Sequence, residues 1–231
     1  MKTINNYILE KLKKISSKNP GKQYNYFPKD RDELREIIIK LIKERGKNAN
    51  LNDINTSNIT DMRDLFISSK FNGDISEWNV SNVKSMYRMF DASLFNGDLS
   101  EWNVSNVEDM SYMFYHSQFS GKNGDISKWN TSNVQSMIDL FTGTQFNGDL
   151  SRWDVSNVKN MSGMFSNSEF TGKNGDISSW DVSNVKDMRA MFYKSKFKGN
   201  ISNWDVSNVK DMKYIFDKCP LEKNPPKWYH Q

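Results

Sequence analysis

The chain has 231 residues, a formal net charge of +4, one cysteine and two histidines. That length suits one ordinary domain or two small ones, and the ligand count excludes a disulfide framework within the chain and a Cys/His metal site. Apolar residues make up 36% of the chain and aromatics 13%, so much of any core must come from Trp, Phe and Met.

The charge is uneven. Residues 1–50 carry 13 Lys+Arg against 6 Asp+Glu, and the remaining residues carry 19 against 22. The basic character belongs to the N-terminal segment. That segment has no continuous apolar core and no small-residue cleavage site, so no Sec signal is expected. No apolar run approaches ~18 residues, so no transmembrane helix is expected either. Within residues 1–20, Ile4, Ile8, Leu12 and Ile15 have the spacing of a basic amphipathic helix. Such a helix can contact an acidic membrane surface, pack on its neighbour or stay unpacked.

Asp30 to Arg45 is a clearer helix, because Leu34, Ile37, Ile38, Leu41 and Ile42 recur at one-face spacing. Asp30 and Glu33 have N-cap and N3 spacing, and Gly46 is a C-terminal stop. Residues 1–50 are therefore expected to form a basic helical segment that caps the rest of the chain.

Residues 51–216 repeat. Ser-Asn pairs begin at Ser57, Ser81, Ser105, Ser132, Ser156, Ser183 and Ser207, at steps of 24 or 27 residues. Both longer steps contain the same insertion, at Gly121–Asn123 and Gly172–Asn174. A fixed period with insertions at one site means stacked coils with a loop on one side. In each unit an apolar trio such as Ile75, Trp78 and Val80 has the spacing of a short strand with Trp and Val inward. Stacked at the ~4.8 Å strand spacing, the tryptophans would form an internal column. Met86, Met89 and Phe90 then follow at i, i+3 and i+4, which predicts one or two helical turns behind Ser81-Asn82. The Asn of each pair reads as an N-cap or as an internal ladder satisfying buried backbone groups where each coil turns. The first coil lacks its Trp, with Leu51, Ile54 and Thr56 at the strand positions. In residues 217–231, Pro220, Pro225 and Pro226 break the pattern, and Trp228-Tyr229 is expected to fold over the last coil.

The unit "FNGDLSEWNVSNVEDMSYMF" and the lead-in at 27–62 resemble those of BspA-type leucine-rich repeat proteins, a bacterial surface-protein and lipoprotein repeat family catalogued as of unknown function. The resemblance covers roughly 27–216. It implies an α/β repeat solenoid, a leucine-rich-repeat-like right-handed coil of short strands and short helices. For some members it implies cell-surface attachment or adhesion. The absent signal points instead to the cytoplasm, so localisation stays open between the two.

No catalytic set is legible, and the resemblance supplies none, so the chain is expected not to be an enzyme. An active site needs unlike residues converging once, whereas a repeat supplies like residues many times. His116 lies in a variable stretch, His230 in the tail, and Cys219 beside Pro220 without a paired His. Asp74, Asp98, Asp125, Asp149 and Asp176 recur at one position, with Asn200 in the sixth. Such a column can attract calcium, but a carboxylate accepting local N–H bonds after Gly explains it more simply. Asn58, Asn79, Asn103 and Asn130 match the N-glycosylation pattern only because they fall on the repeat skeleton. The net acidic repeats do not suit nucleic acid, and no cofactor is implied.

What remains is the variable surface. The residues flanking each Trp are Glu77 and Asn79, Glu101 and Asn103, Lys128 and Asn130, Arg152 and Asp154, Ser179 and Asp181, and Asn203 and Asp205. They should point outward and form a polar strip, the usual binding face of such repeats. The expected function is a monomeric, non-enzymatic scaffold that binds protein, an adhesion-type surface protein, with an intracellular interaction module or spacer as the alternative.

Overall fold

A computed structural model describes residues 23–229. The expected N-terminal amphipathic helix over residues 1–20 and the tail His230 lie outside the described residues.

Helix α1 spans Arg31–Arg45. Its start is set chemically: the Asp30 carboxylate accepts from the backbone N–H groups of Asp32 and Glu33, at 3.0 Å each. The Glu33 carboxylate reaches back to the Lys29 N–H at 2.9 Å, so the reciprocal bond forms one residue earlier than the capping box places it. Gly46, at φ +89°, stops the helix and donates to Ile42. Leu34, Ile38 and Leu41 are buried and join the same hydrophobic core as the coils.

The repeats are not an α/β solenoid. Among the described residues α1 is the only α-helix, with one 3-10 turn at Pro220–Lys223. The described residues form no sheet; the coils touch through isolated parallel bridges such as Ser85 to Asp109 and Asp109 to Ser136. The expected short strands and short helices are both absent, and the reason is local. The coils bend at up to four corners each, where a Ser, Thr, Asp or Asn side chain accepts the N–H two residues on. In the coil of Trp102 the corners are Ser93 to Phe95, Asp98 to Ser100, Asn103 to Ser105 and Asp109 to Ser111, at 2.8 to 3.2 Å. Side chains of this kind offer the backbone an alternative to ladder or helix bonds. With corners at Asp98 and Asn103, the Leu99-to-Val104 stretch is too bent for a strand, and Trp102 N–H closes a turn onto Leu99 at 3.2 Å.

The expected helical stretch is a chain of turns. Alternate N–H groups, from Met110, Tyr112, Phe114 and His116, donate to Ser136, Ile138, Leu140 and Thr142 of the next coil. A helix would have sent each of them four residues back. Tyr112 and His116 adopt φ +59° and +50° to make this possible. The equivalent residues in other coils do the same, among them Arg88, Ala92, Ala190 and Lys194. These turns aim Met110, Met113 and Phe114 inward, which imitates a helical face.

Side chains complete the stack. Trp102, Trp129, Trp153, Trp180 and Trp204 are buried. Their rings stack within pairs such as Trp78–Trp102 and Trp129–Trp153, at 6.5 and 6.1 Å between centroids. A parallel file of Phe66, Phe90, Phe114, Phe141, Phe165, Phe192 and Phe216 runs beside them, fully enclosed. Every described indole N–H also donates to the coil before, as from Trp153 to the Ile126 carbonyl at 3.0 Å. At the far end Trp228 takes the same place, stacking on Trp204 at 6.5 Å and donating to Ile201 at 2.8 Å. The tail thus closes the array as half a coil.

Candidate functional site

Two outward sides of each coil are candidates. The first carries the Trp-flanking strip; the second carries the residues between the repeated Met and Phe. They lie on either side of the core, because Phe90 from one and Trp102 from the other meet inside it at 6.4 Å.

On the first side the strip residues are outside the core. All are exposed except Asn79, which is half-buried. They divide into two kinds. Asn79, Asn103, Asn130, Asp154, Asp181 and Asp205 are corner builders, each accepting the N–H of the Ser two residues on at 3.0 to 3.1 Å. The Ser183 hydroxyl and N–H hold the Asp181 carboxyl below the usual carboxylate range. Glu77, Glu101, Lys128, Arg152, Ser179 and Asn203 precede the Trp and make no corner. Their side chains change in sign along the strip, whereas the corner builders change only from Asn to Asp.

The Gly-Asp column is a set of corners as well. Asp98, Asp125, Asp149 and Asp176 each accept from a Ser N–H at 2.8 to 2.9 Å. In Asp125 this contact, first with the Ser127 N–H and then with its hydroxyl, lowers the carboxyl's affinity for a proton. The Asn of each Ser-Asn pair forms the ladder rather than a cap: Asn106, Asn133 and Asn157 donate to the Ser81, Ser105 and Ser132 carbonyls at 2.7 Å. The ladder runs along the surface, with these Asn residues exposed.

The second side is not singled out by sequence, because its apolar spacing predicts helix. Its coils present unlike groups. Tyr87, Tyr112, Tyr115 and His116 meet edge to face, with centroids 4.3 to 5.6 Å apart. Burial pushes the Asp139 carboxyl up while Thr142 and Tyr112 donate to it. Gly143 and Gly163 make room there: a side chain at Gly143 would strike the His116 ring, and one at Gly163 the Asp139 carboxyl. Further along, Tyr214 is 62% exposed, and the Lys194 and Lys218 ammonium groups sit 5.2 and 5.9 Å from the centre of the Tyr193 ring. The signal that finds this side in a sequence is variability between fixed Met and Phe positions.

Cys219 is buried, and burial pushes its thiol up, which disfavours the reactive thiolate. Between the start of α1 and the first coil lies an open polar hollow of about 350 Å³ lined by Asp30, Arg31, Asn58, Asp61 and Arg63 among others. It touches the second side only at Arg63, in the first coil. No helix of the described residues is long and apolar enough to cross a membrane.

No curated protein and no solved structure matches the chain. A family model does, over residues 38–123 and 117–228. That match corrects the resemblance to BspA-type leucine-rich repeats: the family that fits is a different one, and turn-built coils stand where such repeats would bring strands and helices. The chain belongs to the family described as Mycoplasma protein of unknown function, DUF285.

Proposed function

We propose that the chain is a non-enzymatic scaffold that binds protein through the outward side chains of its coils. One observation carries the reading. The bonds that recur from coil to coil come from the backbone, from the Asn ladder and from the indole N–H groups. They leave the position before each Trp to vary, from Glu77 and Glu101 to Lys128, Arg152, Ser179 and Asn203. A frame that holds itself leaves such positions open to selection by a partner. An adhesive surface role rested on the resemblance that the family match overturned and is not part of this reading.

The test is a photo-cross-linker placed singly at 101 and 152, with position 84 as an off-strip control, in cells that make the chain. A discrete adduct with one protein from the strip positions, lost from position 152 on Glu77→Lys with Glu101→Lys, supports the reading. The same diffuse adducts from all three positions, or none, overturns it.

A further inference from the structure

The array is electrically polar along its axis. Residues 51–183 carry 9 Lys+Arg against 17 Asp+Glu, whereas residues 184–231 carry 10 against 5. Residues 184–231 are thus a basic end on an acidic stack.

The cations are placed in an unusual way. One column runs through Lys84, Glu108, Gln135, Lys159, Lys186 and Lys210, each later N–H donating to the carbonyl of the residue before it at 2.8 to 2.9 Å. Early in the column the charges alternate, and Lys84 pairs with Glu108 at 2.9 Å. Then Lys159 donates to Gln135. After that the signs stop alternating: Lys186 stands directly over Lys210, and neither has an acidic partner within 4 Å among the described residues. Past the corners at Asp187 and Asp211, on the second side, Lys194 is stacked on Lys218, joined through Tyr193. All four lysines are exposed. Like charges directly opposed across neighbouring strands of chain cost stability. The earlier coils show that this sequence can place an acid there, so the lysines oppose stability where it is easily had.

From this arrangement we propose that Lys186, Lys194, Lys210 and Lys218, with Tyr193 and Tyr214 between them, form a docking surface for an acidic segment of another protein. The inference rests on the protein-binding reading and deepens it by naming a second side and a partner chemistry. The tyrosines supply apolar area between the charges. The short extent of the basic end favours a short acidic segment over nucleic acid. A long polyanion continuing along the stack would run onto coils of its own sign.

The experiment uses the full chain and a labelled 12-residue peptide of alternating Glu and Asp, read by fluorescence anisotropy. Saturable binding is expected, weakening steeply as salt rises from about 0.1 M to about 1 M and the screening length falls from about 10 to about 3 Å. Lys194→Glu with Lys218→Glu should weaken it by about tenfold, at up to ~1 kcal/mol for each exposed charge pair. Lys122→Glu, on the first inserted loop, should leave it unchanged. Lys210→Glu should weaken the peptide while raising the melting temperature, since it restores the pairing seen at Lys84 and Glu108. That opposite movement of binding and stability is what a merely solvated face would not give. No peptide binding, equal loss in Lys122→Glu, or tighter binding of a single-stranded oligonucleotide of equal charge would each overturn the proposal. So would self-association that the double variant abolishes, which would assign the face to a second copy. Strip cross-links that persist when the peptide fails to bind would sink this inference and leave the broader reading standing.

Discussion

The indole N–H of Trp129 donates to the backbone carbonyl of Leu99 at 3.1 Å, across thirty residues and the first inserted loop. The insertion therefore leaves the column in register. Trp180 does the same across the second loop, donating to Leu150 at 3.0 Å. Each Trp thus fills the core and ties two coils together.

Removing that group should be costly in two separable parts. Trp129→Ala deletes a buried aromatic and should lose ~3–5 kcal/mol. Trp129→Phe keeps a ring but strands the Leu99 carbonyl, at a cost of ~1–3 kcal/mol. Denaturant unfolding of the full chain compares the two, and an Ala loss below ~1 kcal/mol would contradict an internal column.

Ala92 and Ala190 sit at φ +53° and +52°. A left-handed residue with a Cβ is strained by ~1–2 kcal/mol, most of which glycine avoids. Ala92→Gly and Ala190→Gly should each raise stability by up to ~1 kcal/mol. Ala49→Gly, at a buried position outside the left-handed region, should lower it. Melting temperatures of the three variants decide between turns and helix at these positions, since in a helix all three would destabilise.

Asp139 is the carboxyl that burial pushes up. A group whose folded pKa exceeds its unfolded value contributes stability that is full below the unfolded value, about 3.9 for Asp, and is lost as pH rises through the folded value. At neutral pH the charged form is the disfavoured one. Asp139→Asn should therefore melt higher than the wild type at pH 7, with the gap closing toward pH 4. Asp125, Asp181 and Asp205 have the opposite sign: hydrogen bonds lower their pKa values. The stability they add is present above the unfolded value and fades as pH falls below it. A melting series that moves the Asp139→Asn difference the other way would refute the burial of that carboxyl.

The exposed Asn ladder makes a smaller claim. Asn133→Ala removes one bond to the Ser105 carbonyl and should lose ~0.5–1.5 kcal/mol. Asn133→Asp places a carboxylate oxygen against that carbonyl and should lose more than Ala. Equal stability of all three proteins would mean the ladder contributes nothing.

Much of the frame is readable from residues, and the misreadings share one cause. The period follows from the Ser-Asn pairs, the ends of α1 from the capping residues Asp30 and Gly46, and the inward Trp and Phe from apolar spacing. Spacing does not report hydrogen bonds. Met110, Met113 and Phe114 have helical spacing, and Leu99, Trp102 and Val104 have strand-like spacing, yet corner side chains at Asp98, Asn103 and Asp109 bend both into turns. Those acceptors are visible as a repeated Asp, Asn or Ser two residues before a donor, but periodicity outweighs them. The candidate strip is legible as outward positions. Its division into corner builders and variable residues needs the bonds, and the second side stays hidden because most of its left-handed residues, Tyr112 and Lys194 among them, are not glycine, with Gly143 and Gly163 as exceptions.

The inserted loops recur at Gly121 and Gly172, in alternate coils, and are held alike: Asn123 and Asn174 donate at 2.6 Å to Asn96 and Asn147. The repeating module of this stretch is accordingly a pair of coils, one plain and one bearing a tooth. Copying one such pair in frame would lengthen the protein without disturbing either end, because each new indole would find its carbonyl already in place. The molecule resembles a comb whose tooth spacing stays constant however many pairs it carries, so the distance between two bound partners could be set by counting.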